Sequence, residues 1–420
     1  KHPIKKIIRA DVRFGSKADM CTASAYVRFT PESGHSLRPV QCPLCANGGH
    51  ARRAIERRIR GQYRGGHNAR WGTIDTTKGR GTMIDTLSPS ELSRRSLLAG
   101  LAAAPIVTAA TEQSLAQTVE PRWSPQQAQA ALKDAKGTKL VLLGTAAGPV
   151  PGRSREMTSH VMLSNGSAYV LDCGMGVTNQ FARTGIPFSV LKSIFITHHH
   201  ADHNIEYGPL LIVGWIQGLP LDVRAFGPPP LRQMTDDFMR AYKQTVDFWA
   251  EDFHMKPLTS VNVQEISAAG SVTEDDNVKV SAILVEHPPV KPALAYRFDF
   301  KDRSIAFSGD TAPLEEVAKM AEGADVLVHE TMYVPAVEKY IKGQIAQGRP
   351  VKFEAFMAHM KADHTPSEDV GRIAQQAGVK TLVLSHLTPA IDSISDDTWR
   401  EPAAKFFKGE IIVGKDLMVV

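Results

Sequence analysis

Cysteine is scarce in this sequence, and its scarcity excludes one class of fold. The 420 residues contain four cysteines, at positions 21, 42, 45 and 173. Small secreted domains that depend on disulfides carry a much higher proportion. Cys42 and Cys45 form a single CxxC pair without a second pair of ligands, which is weak evidence for a zinc site. The stability of the chain must therefore come from a packed apolar core, which a domain of roughly 300 residues can supply.

Long apolar runs are also lacking. Residues 97–110 form an apolar run of 14 residues, whereas a membrane-spanning helix needs about 20. Two arginines precede this run at positions 94 and 95, and Ser-Leu-Ala follows it at 114–116. This order resembles a twin-arginine export signal with its cleavage site, a buried helix being the alternative. We predict a signal peptide at 83–116, the twin-arginine export machinery as a partner, and a periplasmic mature protein with no membrane anchor and a single cysteine.

Acidic residues are few at the start of the chain. Residues 1–82 contain 17 Lys and Arg but 5 Asp and Glu, a net charge of +12. Because the whole chain carries +5, residues 83–420 carry −7. The basic start is therefore not evidence that the domain downstream binds nucleic acid. We predict that residues 1–82 are disordered, or that translation begins at Met83 and they are not made. Residues 117–137 are predicted to be a linker or surface helix.

The segment 198–203 reads His-His-His-Ala-Asp-His and follows an apolar run at 193–197. On an extended backbone His198 and His200 point the same way, so both can bind one metal. Asp202 and His203 come after the chain turns and can reach a second metal. Imidazole and carboxylate ligands suit zinc, and also iron or manganese. The alternative is a polar loop that is rich in histidine by accident.

More residues of this kind follow other predicted strands. His287 follows a strand at 280–285, Asp310 a strand at 304–307, and His386 a strand at 381–384. In this order, and with two further strand-and-turn segments upstream at 142–145 and 169–174, the chain resembles the metallo-β-lactamase superfamily over residues 138–420. The resemblance implies an α/β catalytic domain, an αββα sandwich of two facing mixed sheets with outer helices.

The resemblance also implies two divalent metal ions, which we expect to be Zn²⁺. The implied ligands are His198, His200 and His287 for the first metal, Asp202, His203 and His386 for the second, and Asp310 for both. Such a pair of metals lowers the pKa of bound water toward about 7, which provides a hydroxide as the nucleophile.

Two more residues match the branch of the superfamily that contains ribonuclease Z and the zinc arylsulfatases. In that branch the position of His364 is a catalytic histidine, and the position of Glu330 is the carboxylate that orients it. We expect His364 to stabilise or protonate the departing oxygen. The alternative role for His364 is in a helix-capping loop, because helix-start residues follow it. Asp202 is counted with these two as a catalytic residue.

The remaining histidines are expected to be structural or at the surface. His199 should point away from the metals, and packing or surface positions are expected for His254, His329 and His359. His160, on a predicted strand at 160–163, is compatible with the core or with the rim of the site.

Aromatic residues are concentrated in two segments that we predict to be helical, 229–256 and 334–360. Trp249 and Phe356 are the predicted substrate contacts, although aromatics at helical spacing also fit a core role. If both segments wall the pocket, they favour a substrate with a flat apolar part.

The 22 residues from 288 to 309 decide between reactions. Ribonuclease Z normally carries a long arm here that grips tRNA, whereas this sequence predicts two strands and a turn. We therefore expect an exported hydrolase of a small aryl sulfate or phosphate ester and no nucleic acid partner. The alternatives are a phosphodiesterase or ribonuclease Z-like nuclease, a lactonase, or a non-catalytic relic of the fold. The family resemblance suggests a homodimer, although no residue demonstrates it.

Overall fold

The structure is a computed structural model that describes residues 8–12, 23–27, 122–134, 136–150 and 154–420. The export signal predicted at 83–116 lies outside these residues, as does most of the segment 1–82. Contacts divide the chain into two units, residues 1–109 and residues 110–420. In the first unit, strand β1 (Ile8–Val12) pairs with β2 (Ala23–Val27) in antiparallel register.

The second unit contains two mixed sheets of seven strands each. The strands of one sheet are β3 (Lys139–Gly144), β4 (Ser159–Ser164), β5 (Ser167–Leu171), β6 (Leu191–Phe195), β7 (Arg224–Gly227), β8 (Asn262–Glu265) and β16 (Met418–Val419). Their order is β16-β3-β4-β5-β6-β7-β8. The pairs from β5 to β8 are parallel. The carboxyl ends of these four strands therefore meet at one edge of the sheet.

The strands of the other sheet are β9 (Gly270–Glu274), β10 (Val278–Val285), β11 (Ala293–Phe300), β12 (Ser304–Phe307), β13 (Val326–Met332), β14 (Thr381–Thr388) and β15 (Glu410–Val413). Their order is β15-β14-β13-β12-β11-β10-β9. The pairs from β12 to β15 are parallel, so these strands also end at a common edge.

Helices flank both sheets. They are α1 (Pro125–Asp134), α2 (Val177–Thr184), α3 (Ala201–Asn204), α4 (Tyr207–Ile216), α5 (Leu231–Asp252), α6 (Glu315–Met320), α7 (Val334–Ala346), α8 (Phe353–Asp363), α9 (Ser367–Ala377) and α10 (Asp396–Ala404). In the described part of the chain, no helix combines the length and the apolar character that crossing a membrane requires.

The alternation of side chains along the strands explains why the sheets stack. Leu140 and Leu142 belong to the apolar cluster between the sheets, whereas Val141 and Leu143 belong to the cluster beneath the helices on the outer face. Because side chains of a strand point alternately to its two faces, a strand that is apolar throughout needs a cover on both. The predicted αββα sandwich is confirmed.

The segment predicted as helical at 334–360 is helical in two pieces. Helix α7 ends at Ala346 and α8 begins at Phe353. Between them Gly348 has a φ of 88°, and Pro350 has no N–H to donate to a helix. The two helices form a hairpin that shares its own apolar cluster, around Val337, Ile341 and Met357. By contrast, the other aromatic segment forms the single helix α5.

Candidate metal centre

The strand ends place the predicted ligands together. His198 follows β6, His287 follows β10 and Asp310 follows β12. His386 lies near the carboxyl end of β14. The parallel strands of both sheets end at the same edge of the sandwich, so their side chains converge there. All seven predicted ligands lie in this cluster.

The first group consists of His198, His200, His287 and Asp310, whose ligand atoms all lie within 4.8 Å of one another. The Nε2 atoms of His198 and His287 are each 3.0 Å from Nδ1 of His200. Oδ2 of Asp310 lies 3.9 Å from both of these Nε2 atoms.

The second group consists of Asp202, His203 and His386. Nε2 of His386 is 3.3 Å from Oδ2 of Asp202 and 3.2 Å from Oδ2 of Asp310. Nε2 of His203 is 3.3 Å from the same Asp310 oxygen. The Asp310 carboxylate therefore lies between the two groups.

The unsatisfied atoms of the cluster fit bound cations. Nδ1 of His287 is 2.9 Å from the backbone carbonyl oxygen of Asp363, which can only accept, so Nδ1 carries the proton. The lone pair of its Nε2 then faces the cluster. Among the described residues, Nε2 of His203 and Oδ1 of Asp310 are buried and form no hydrogen bond. Buried polar atoms that lack hydrogen-bond partners are costly, and a set of imidazoles and carboxylates is a ligand set for divalent metals.

Charge in the cluster also favours cations. Burial lowers the pKa of His198 well below its usual range and that of His287 to about 4, so both rings are neutral, the form that binds metals. Burial alone would raise the pKa of Asp310, but His386 and His203 outweigh it and hold the pKa well below the usual range. The carboxylate is therefore ionised in a buried site.

Asp172 orients one of these histidines, a role that the sequence analysis missed. It lies just after β5 with a φ of 59°. Its Oδ2 accepts a hydrogen bond from Nδ1 of His203 over 2.8 Å, and its Oδ1 accepts from the backbone N–H of Thr197 over 2.8 Å. A histidine ligand is commonly fixed by such a carboxylate. The sequence did carry a signal for this role, because Asp172 is a carboxylate at the end of a predicted strand. The segment 169–174 was interpreted only as a strand and a turn.

Gly148 orients Asp202 and was also missed. The backbone N–H of Gly148 donates to Oδ2 of Asp202 over 2.7 Å. A Cβ atom at position 148 would lie 2.3 Å from Cβ of Asp202. The approach of the loop to this carboxylate therefore requires glycine.

A β-bulge sets the direction of His386. In the β13–β14 pair Ser385 lies opposite Glu330 and Leu387 opposite Thr331, so His386 has no partner. Its φ is 43°, and the extra residue turns the side chain out of the regular alternation. The sequence predicted the end of the strand at Leu384, but β14 continues to Thr388.

His364 and Glu330 form a hydrogen-bonded pair beside the ligands. Nδ1 of His364 is 2.9 Å from Oε2 of Glu330 and 4.0 Å from Oδ2 of Asp310. Burial would lower the pKa of His364, but the charge and hydrogen bond of Glu330 outweigh it and raise that pKa to about 9. Oε1 of Glu330 accepts from the N–H of Thr311 over 2.8 Å. The carboxylate is therefore fixed, and the imidazole is protonated at neutral pH.

The predicted substrate contacts lie apart from the ligand cluster. Trp249 stacks on Phe253 at the surface of α5, with ring centroids 4.9 Å apart. Phe356 packs against the apolar cluster of the α7–α8 hairpin. Neither lines the small cavity beside the ligands, so their contact with a substrate stays a prediction.

The other histidines have separate roles. His199 bonds to the Pro228 carbonyl oxygen over 2.8 Å and His359 to Oδ2 of Asp363 over 2.8 Å, while His329 is buried and His254 is exposed. His160 faces the site, because it lines the small cavity beside the ligands.

Comparisons with known proteins agree with this site. Residues 168–387 match the model of the β-lactamase superfamily domain. The chain is 30% identical over 285 residues to the ribonuclease Z of Mycobacterium bovis (strain BCG / Pasteur 1173P2), an alignment that covers 66% of this chain and 96% of that protein. It is 30% identical over 283 residues to the ribonuclease Z of Mycobacterium marinum (strain ATCC BAA-535 / M), with the same shares covered.

Among solved structures, the metallo-β-lactamase fold protein YhfI from Bacillus subtilis matches with a TM-score of 0.51 and 19% identity. The match covers 68% of this chain and 100% of that one, and it supports the fold. The chain belongs to the β-lactamase superfamily and has proteins named ribonuclease Z among its relatives.

Proposed function

We propose that this superfamily hydrolase is a phosphodiesterase that uses two divalent metal ions, with His364 as the acid for the leaving oxygen. The observation that carries the proposal is the pair of His364 and Glu330 beside Asp310. From the sequence alone, phosphodiester cleavage is an alternative to the cleavage of a small aryl sulfate or phosphate ester. We reverse that order because the relatives are named ribonuclease Z, and that name also argues against the expectation that no nucleic acid is bound.

The residues of the two groups would hold the metals. His198, His200 and His287 would hold one cation and Asp202, His203 and His386 the other, with Asp310 shared. When bound, two divalent cations, which we propose are Zn²⁺, supply a water of lowered pKa and positive charge opposite the phosphate oxygens. Asp172, Gly148 and the Asp363 carbonyl hold their ligands in place before a substrate arrives.

His364 would act on the leaving oxygen. Its Nδ1–H is engaged by Glu330, so the Nε2–H is the proton that the ring can give away. As the oxygen of a water molecule bonds to phosphorus and the bond from phosphorus to the leaving oxygen breaks, this proton would move to the leaving oxygen, and Glu330 would keep its charge. A positioned acid of this kind contributes about 10²–10⁴-fold to the rate.

A comparison of three substrates tests the proposal. The full chain would be assayed with a bis-aryl phosphate, an aryl phosphate and an aryl sulfate that release the same phenol. We expect the largest kcat/KM for the diester, and its loss after chelation. A larger kcat/KM for the sulfate would contradict phosphodiester cleavage as the main activity.

Aryl sulfate ester hydrolysis is the second candidate, and a specific observation favours it. Residues 288–309, all of them described, contain β11, a turn and β12, so no arm is inserted where the resemblance leads one to expect a tRNA-gripping element. The ratio of kcat/KM for the aryl sulfate to that for the bis-aryl phosphate separates the two candidates, because a sulfatase would favour the sulfate and a phosphodiesterase the diester.

A further inference from the structure

Asp416 lies outside the ligand cluster and is completely buried. Its Oδ1 accepts hydrogen bonds from the backbone N–H of Thr145 over 3.1 Å and from the Thr145 hydroxyl over 2.7 Å. Its Oδ2 accepts from the backbone N–H of Glu156 over 2.6 Å. One carboxylate near the C-terminus therefore fixes both ends of the loop between β3 and β4.

Arg155 strengthens this connection. Arg155 is 8% exposed, and its Nη1 donates to the Thr145 hydroxyl oxygen over 2.6 Å and to the Gly414 carbonyl oxygen over 2.7 Å. Burying a carboxylate and a guanidinium is costly unless each is well hydrogen-bonded. Here the Thr145 hydroxyl donates to Asp416 and accepts from Arg155. Both buried groups are therefore hydrogen-bonded, and the position of Thr145 is fixed.

Hydrogen bonds connect the segment that begins at Thr145 with Asp202 and with the neighbour of His386, and Asp202 and His386 both belong to the second group. Three residues later, Gly148 donates its N–H to Asp202. The carbonyl oxygen of Thr145 accepts from the N–H of Leu387 over 2.9 Å, and Leu387 directly follows the bulged His386. Asp202 and His386 thus both depend on the segment that Asp416 holds.

The first group is held by other parts of the fold. His198 and His200 follow β6, and His287 is fixed by the Asp363 carbonyl at the end of α8. Asp310, which lies between the groups, follows β12. No described hydrogen bond joins these elements to Asp416 or Thr145. A change at Asp416 should therefore affect one group selectively.

We propose that Asp416 is a positioning residue for the second metal-binding group, acting through Thr145 on Asp202 and His386. This inference rests on the metal-binding part of the proposed function and not on which ester is cleaved. It also assigns a role in the site to a residue 30 positions beyond the last ligand in the sequence.

Titration of Zn²⁺ into chelator-treated full-length protein tests the proposal, with a competing indicator reporting each equivalent. His287→Ala and His386→Ala, measured alongside, show which equivalent belongs to which group. We expect Asp416→Ala to lower the Zn²⁺ affinity of the second group at least tenfold. Supporting contacts of this kind contribute about 10- to 100-fold to metal affinity. The first-group equivalent should stay within threefold of the parent.

Asp302→Ala is the matched control. Asp302 accepts from the N–H and the hydroxyl of Thr138 over 2.7 and 2.6 Å, the same pair of donors at the far end of β3. We expect both equivalents of this variant to stay within threefold of the parent even if its Tm falls. Should Asp416→Ala fail to fold, Thr145→Val removes the hydroxyl alone, and Thr145→Ser retains it as the conservative variant. Thr145→Val should weaken the second-group equivalent severalfold and Thr145→Ser should not.

Four results would overturn the proposal. The first is an unchanged Zn²⁺ affinity of the second group in Asp416→Ala, or in Thr145→Val where that variant is the one that folds. The second is an equal loss of Zn²⁺ affinity in both groups, and the third is an equal loss of affinity in Asp302→Ala. The fourth is a parent chain that binds a single equivalent of Zn²⁺. The titration needs no substrate, so a failed assay of phosphodiester cleavage would leave its outcome untouched.

Discussion

Nδ1 of His364 lies 2.9 Å from Oε2 of Glu330, and the same atom lies 4.0 Å from the Asp310 carboxylate that both metal-binding groups share. The imidazole of His364, which follows α8, is thus held against the ligand cluster by the Glu330 carboxylate of β13.

Glu330→Gln should shift the pH dependence of kcat. The charge of Glu330 raises the pKa of His364, so the acidic form of the ring is present below that pKa and is lost as the pH rises through it. Removing the charge lowers the pKa, and the alkaline decline in kcat should begin at a lower pH. A pH profile of kcat at saturating substrate measures this. A decline at an unchanged pH, with metal content equal to the parent's, would show that Glu330 does not control His364.

His364→Ala should change how the rate depends on the leaving group. A phenol with a low pKa departs without a proton, whereas an alkoxide requires one. We expect kcat/KM to fall about 10²–10⁴-fold for alkyl leaving groups and much less for nitrophenol. A series of diesters whose leaving groups differ in pKa measures the slope. Equal losses across the series would contradict a role for His364 as an acid.

Asp310→Asn should release metal from both groups. Its Oδ2 lies within 3.9 Å of ligand nitrogens in each group, and an amide oxygen carries no charge to offset two cations. Elemental analysis after dialysis should find well under one metal ion per chain. His200→Ala, which alters the first group alone, is the comparison and should retain about one. Two retained ions in Asp310→Asn would show that the carboxylate is not shared.

Gly148→Ala should damage the second group, because the new Cβ would lie 2.3 Å from Cβ of Asp202. We expect a loss of activity of at least tenfold with loss of the second metal ion. Gly343→Ala is the control, because nothing lies within 4 Å of a Cβ there and the position is inside α7. This control should keep full activity and gain about 0.5–1 kcal/mol in the free energy of unfolding. Full activity in Gly148→Ala would mean that the loop can retreat from Asp202.

The family resemblance, carried by the histidine-rich motif and the strand ends, implied the αββα sandwich, which is confirmed, and seven ligand positions, whose side chains lie together in the structure. His198 and His200 are two residues apart at the end of a strand. The later ligands, at 287, 310 and 386, each follow an apolar run. Asp172 carried a weaker signal of the same kind. Gly148 and the Asp363 carbonyl carried none, since they act through backbone groups that no side-chain pattern reveals.

Other features depend on tertiary contacts between distant segments. Asp416 and Thr145 are 271 residues apart, and the bulge at His386 arises only when β14 pairs with β13. For Trp249 and Phe356, helical spacing indicated helices correctly but did not show which side chains would reach the cavity. The exported location predicted from residues 83–116 remains a prediction.

We propose that two bound metal ions and the residues of this site together cleave a phosphodiester. The most direct test is the turnover of a bis-aryl phosphate by chelator-treated full-length protein as Zn²⁺ is added in known equivalents. We predict little turnover at one equivalent and a rise that saturates at two. A maximum at one equivalent, or no turnover at two, would contradict the account.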